Sequence, residues 1–109
     1  MRFMILVRAD SNTEAGLRPD MLEYHEALKM AGALLDAANL EPSCAGWRVH
    51  YAGGRQTVMD GPFTETRELI AGYTLIEVKS REEALEWSRR FPCPAGAGGT
   101  TVIEVRGVQ

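Results

Sequence analysis

Phe3-Met4-Ile5-Leu6-Val7 is the stretch that decides the fold. Successive side chains of a strand point to opposite faces, so this run presents apolar groups on both. A strand of that kind sits centrally in a sheet and needs cover on each side. Helices supply one cover. In a chain of 109 residues, a second subunit is the economical source of the other.

Working outward from that strand, Pro19 stands at a first helical position, with Asp20 and Glu23 placing negative charge at the start. A helix is expected from about Pro19 to Ala31, with Met21, Tyr24, Leu28 and Ala31 as its inward stripe and Gly32 as its stop. His25 projects beside that stripe. Residues 33–40 fit either a continued helix or a short strand and are read as the strand; Pro42 ends whichever it is. Trp47-Arg48-Val49-His50-Tyr51 alternates, Gly53-Gly54 turns, and Arg55-Gln56-Thr57-Val58-Met59 returns, giving a β-hairpin whose apolar row is Trp47, Val49 and Tyr51.

Tyr73 to Lys79 reads as a strand with Thr74, Ile76 and Val78 on its buried side. Ser80-Arg81-Glu82-Glu83 is a capping box, and Ala84, Trp87, Ser88 and Phe91 form the packing face of the helix it opens, which Pro92 stops. Thr101 to Arg106 is the closing strand, with Ile103 and Val105 inward. The order predicts an α+β fold: a ferredoxin-like βαββαβ sheet with an inserted β-hairpin and two helices on one face. No repeat or second domain is evident, so residues 1–109 form a single domain.

Composition narrows the function. A content of 45% hydrophobic and 25% charged residues is that of an ordinary globular protein. A net charge of -3 argues against nucleic acid as a partner, because duplex-binding surfaces concentrate Lys and Arg against phosphate. No apolar run approaches the ~20 residues that span a bilayer, and no leader cleavage pattern follows Met1. A soluble, cytoplasmic protein without membrane attachment is expected. Cys44 and Cys93 lack ligand or disulfide spacing, and the two histidines have no carboxylate at ligand spacing, so neither a metal nor another cofactor is predicted. The glycine-rich 96–101 segment lacks the Lys and following helix of a phosphate-binding loop and reads as a linker.

Asp60-Gly61-Pro62-Phe63-Thr64-Glu65-Thr66 is the one stretch that neither a core nor a generic loop requires. Asp-Gly is a turn former, and Pro62 holds Gly61 extended. Thr64 caps a short helix expected from about Glu65 to Ile70, with Glu65 in its first turn. A helix start beside a carboxylate orients a polar ligand or serves acid/base chemistry.

The run Met59 to Glu68, together with Ala71-Gly72-Tyr73, Ile76-Glu77-Val78 and Glu82-Glu83-Ala84-Leu85-Glu86-Trp87, resembles the YCII-related, or DGPF-domain, proteins. Leu40-Glu41-Pro42-Ser43 and Gly46-Trp47-Arg48-Val49 extend the resemblance into the first half. It implies a fold of the dimeric α/β-barrel type, in which two sheets pack face to face across a homodimer. The family is largely uncharacterised, mainly bacterial, and often neighbours or is fused to extracytoplasmic-function sigma factors, so a sigma-factor association is implied as well. In the wider group a His/Asp pair is the proposed catalytic site. The acidic position of the motif is Asp60 here, and His25 is the candidate partner.

Each candidate has a plain structural reading beside the functional one. Asp60 is either a turn residue accepting backbone N–H bonds or a catalytic carboxylate lining a pocket. His25 is either a half-buried histidine satisfied by a backbone partner or a proton shuttle. Trp47 and Tyr73 are either core or dimer-interface aromatics, or walls of a small-molecule site. Pro62, Phe63 and Glu65 complete the expected ligand-binding set. The functional expectation is a small-molecule-binding protein, an enzyme of lyase or isomerase type acting near Asp60. The alternative is a noncatalytic interaction module.

Overall fold

The computed structural model describes residues 1–8, 18–63, 70–96 and 98–109. Among the described residues six strands and two α-helices follow the order β1 (Arg2–Arg8), α1 (Pro19–Met30), β2 (Leu34–Asn39), β3 (Trp47–Ala52), β4 (Arg55–Asp60), β5 (Ile70–Glu77), α2 (Arg81–Arg89) and β6 (Ile103–Val108). Four strands make an antiparallel sheet in the order β2-β5-β1-β6, and β3 and β4 pair apart from it. This is the expected ferredoxin-like α+β arrangement, with the hairpin inserted between the second and third strands of the sheet.

The apolar first run takes a central position, flanked by β5 and β6. Its register sorts the sheet into two faces. Ile5 lies opposite Thr74 and Val105, Phe3 opposite Ile76, and Val7 opposite Ile103, so these residues share the face that meets the helices. Ile5, Leu28 and Ile76 are wholly enclosed there, with Tyr24, Ala84, Trp87 and Phe91 around them. Each such aliphatic side chain contributes roughly 1.5–3 kcal/mol through burial. Ile103 and Val105 pack against the cluster half-buried, because β6 is an edge strand.

Both helices end where local chemistry dictates. Pro19 opens α1. Gly32, at a φ of 72°, lets its own N–H reach the Lys29 carbonyl and the Ala33 N–H reach the Leu28 carbonyl, the paired closure that favours glycine after a helix. The Ser80 hydroxyl accepts the Glu83 N–H at 3.1 Å. The Glu83 carboxylate accepts from Lys79 at 2.9 Å, one residue before the cap. Across the helix layer the Tyr24 hydroxyl donates to the Trp87 carbonyl at 2.6 Å, and its ring meets Trp87 and Phe91 edge-on.

One expectation is met and one corrected. Residues 33–40, read as a short strand, contain strand β2 at the sheet edge. The helix expected to reach Ile70 does not include that residue, which begins β5; the proposed cap Thr64 and its first turn lie outside the described residues.

Candidate functional site

Gly53 and Gly54 both adopt positive φ, 56° and 78°, the backbone of a tight hairpin turn. The β3–β4 ribbon that they join pairs Trp47 with Asp60, Val49 with Val58 and Tyr51 with Gln56. Directly opposed residues share a face, so Asp60 stands beside Trp47 on the ribbon's apolar side. Arg48, His50 and Arg55 occupy the other side. The apolar row lies outside the core: Trp47 is 66% exposed and Tyr51 74%.

At the foot of the ribbon the backbone is tightly held. Gly61 donates to the Gly46 carbonyl at 3.0 Å, and Phe63 donates to the Ser43 hydroxyl at 3.3 Å. A Cβ at position 61 would collide with the Ser43 carbonyl, so glycine is required by close approach of two backbones. The Gly61–Pro62 peptide is cis. The Arg48 guanidinium lies 3.9 Å from the Phe63 ring centroid, a cation–π contact that ties β3 to the segment leaving β4. Within this frame no hydrogen bond or ion pair among the described residues engages the exposed Asp60 carboxylate.

His25 occupies a different place. Its Nε2 lies 2.8 Å from the Thr74 hydroxyl, between α1 and β5, and burial lowers its pKa below the usual 6.5, which keeps the imidazole neutral near pH 7. No hydrogen bond joins it to Asp60. The partner is a side-chain hydroxyl rather than the backbone group expected for a structural histidine. Tyr73 lies on the far side of the sheet from the helices, where its hydroxyl donates to Asp36 at 2.8 Å. That bond, with a smaller contribution from burial, raises the phenol's pKa.

The structure therefore brings Asp60, Trp47, Pro62 and Phe63 together at the ribbon's foot and leaves His25 and Tyr73 elsewhere. Glu65 lies outside the described residues. Sequence reasoning missed Asp36 and Thr74 as partners of Tyr73 and His25. Once residues 34–39 are recognised as a strand, the pairing of β2 with β5 offers Asp36 as a neighbour of Tyr73. Among the described residues there is no group of three or more His, Cys, Asp or Glu side chains that could hold a metal ion, and no helix is long and apolar enough to cross a membrane.

A sequence model of the YCII-related domain matches residues 1–108. The chain belongs to the YCII-related family. An uncharacterised protein of Rhizobium meliloti (strain 1021) is 42% identical over 59 residues, 54% of this chain and 48% of that protein. The chain thus aligns with about half the length of that curated relative.

Proposed function

We propose that this YCII-related protein is a cytoplasmic homodimer that binds a small molecule at the foot of the ribbon, with Asp60 as its polar contact and acid/base group. The observation that carries the reading is the free Asp60 carboxylate in a held frame. Its neighbour Gly61 is pinned to Gly46 and Phe63 to Ser43, yet its own oxygens have no protein partner among the described residues. Trp47 beside it supplies a flat apolar wall, and Pro62 and Phe63 border the same point. A ligand carrying a hydroxyl or amino group beside an apolar body suits that combination. A carboxylate positioned in this way serves proton abstraction and return, the chemistry of a lyase or isomerase. His25, neutral and held by Thr74, is the second base of this reading.

The homodimer rests on the sheet face opposite the helices. Met4 lies opposite Leu75 and Leu6 opposite Tyr73, making an apolar centre. Its charged flanks are already satisfied within the chain: Glu104 pairs with Arg106 at 3.0 Å, Arg2 with Glu77 at 3.1 Å, and Asp36 accepts from Tyr73. An apolar centre with an internally paired polar rim suits packing against a copy of itself. A noncatalytic module contacting a sigma factor is the second reading, favoured by the exposed apolar ribbon.

Native mass spectrometry of the protein purified gently from its own cells tests the ligand. The expected result is a dimer carrying a discrete small adduct that Asp60→Asn loses and His25→Ala weakens. A wild-type dimer without an adduct, or an adduct that Asp60→Asn retains unchanged, overturns the site assignment.

A further inference from the structure

We infer that the Asp60 site selects an organic cation, an ammonium group held against the Asp60 carboxylate with its apolar body laid on Trp47. The inference narrows the ligand class of the site proposed above and rests on that reading.

The strand register sorts the charges of the ribbon by face. Trp47 pairs with Asp60, Val49 with Val58 and Tyr51 with Gln56, whereas Arg48 pairs with Met59, His50 with Thr57 and Ala52 with Arg55. Directly opposed residues share a face and neighbouring pairs alternate between faces. Every basic side chain of β3 and β4 therefore lies on one side, and Asp60 is the one charged group of these strands on the other. Arg48, next to Trp47 in the chain, has its guanidinium 3.9 Å from the Phe63 ring centroid.

Elsewhere in the molecule, carboxylates with a cation in reach are paired. Asp20 meets Arg18 at 2.6 Å, Glu104 meets Arg106 at 3.0 Å and Glu77 meets Arg2 at 3.1 Å. Asp60 has no such partner among the described residues. The backbone that follows it is held by the bonds from Gly61 to Gly46 and from Phe63 to Ser43, so little ordering of this segment is left for a ligand to supply.

The chemistry of the two neighbours chooses the ligand charge. A carboxylate only accepts hydrogen bonds, and a charged N–H donor makes a shorter and stronger bond to it than a neutral hydroxyl does. The indole face carries a negative quadrupole, and tryptophan attracts cations more strongly than the other aromatic residues. Trp47 is 66% exposed, and Val49 and Val58, also open, continue the same face as an apolar floor. Phosphates and carboxylates are disfavoured there, because no basic group of the ribbon shares the face to offset Asp60.

Three probes with one ring and different charge test this: benzylammonium, benzyl alcohol and benzoate, each titrated into isotope-labelled protein and followed by NMR. The Trp47 indole N–H and the Asp60 backbone amide report the site. The chain has two tryptophans, and the signal of Trp87, buried in the helix layer, is the control for an intact fold in each variant. Benzylammonium is expected to bind about fivefold or more tighter than benzyl alcohol, with benzoate weakest. Asp60→Asn is expected to remove that preference and Asp60→Glu to keep part of it. Equal binding of the three probes, a preference that survives in Asp60→Asn, or shifts that never saturate and so mark surface contact only, overturns the inference. The site itself is judged separately by the adduct retained from cells. An adduct that Asp60→Asn loses but that carries no cationic nitrogen keeps the site and discards the ligand class, whereas one that Asp60→Asn retains discards both.

Discussion

The four-stranded body and the β3–β4 ribbon are built from similar alternating strands, yet one encloses its apolar face and the other displays it. In the body, Ile5 and Ile76 face α1 and α2, and nothing of them is left open. In the ribbon, Trp47 and Tyr51 alternate just as regularly, and both stay largely exposed. Alternation therefore specifies which residues share a face, whereas burial depends on whether another layer reaches that face. Near the ribbon's foot the backbone is held by the bond from Gly61 to Gly46 and the bond from Phe63 to Ser43, with Arg48 stacked on Phe63.

The largest expected effect separates the two regions directly. Ile76→Ala empties a wholly enclosed position and is expected to cost about 2–5 kcal/mol in denaturant unfolding. Val58→Ala, measured at a concentration where the protein is monomeric, is expected to stay within about 0.5 kcal/mol. Equal losses would show that the ribbon belongs to the same cooperative core as the sheet.

A smaller effect probes how locally the body is assembled. Ser80→Ala removes the acceptor for the Glu83 N–H and is expected to lower stability by about 1 kcal/mol. Restoration by Ser80→Asp would assign the loss to capping; failure of that variant to recover any stability would place the role of Ser80 elsewhere.

The subtlest test concerns pH. Burial lowers the His25 pKa in the folded chain, so on acidification the unfolded state takes up this proton first. The associated stability is present above the unfolded pKa of about 6.5 and is lost as pH falls below it. Denaturant unfolding of wild type and His25→Gln from about pH 7.5 to about pH 5 is expected to show a steeper decline for wild type. Parallel profiles would mean that the Thr74 contact does not hold the imidazole neutral.

Much of the body was legible because its signals are local. The capping box, Pro19, the Gly53-Gly54 turn and the doubly apolar first strand each act within a few residues, so α1, α2, the hairpin and the central position of β1 follow from them. The DGPF segment stood out in the sequence as a turn, but the reason for its glycine did not, since the backbone of Ser43 that crowds position 61 comes from a distant part of the chain. Residues 34–39 were legible as a strand but not as an edge strand: that place depends on pairing with β5, whose partners in the register run from Ile76 opposite Leu34 to Gly72 opposite Asn39.

The sequence by itself thus determined the elements, their order, the family and the two faces of each strand, because steric and hydrogen-bonding preferences act at short range. Tertiary structure decided which faces found cover and which functional side chains met. It placed His25 on Thr74 and Tyr73 on Asp36, across 49 and 37 positions of chain, and left Asp60 beside Trp47 on an open ribbon. Those outcomes depend on the path of the backbone between elements, which side-chain alternation within any one of them does not encode.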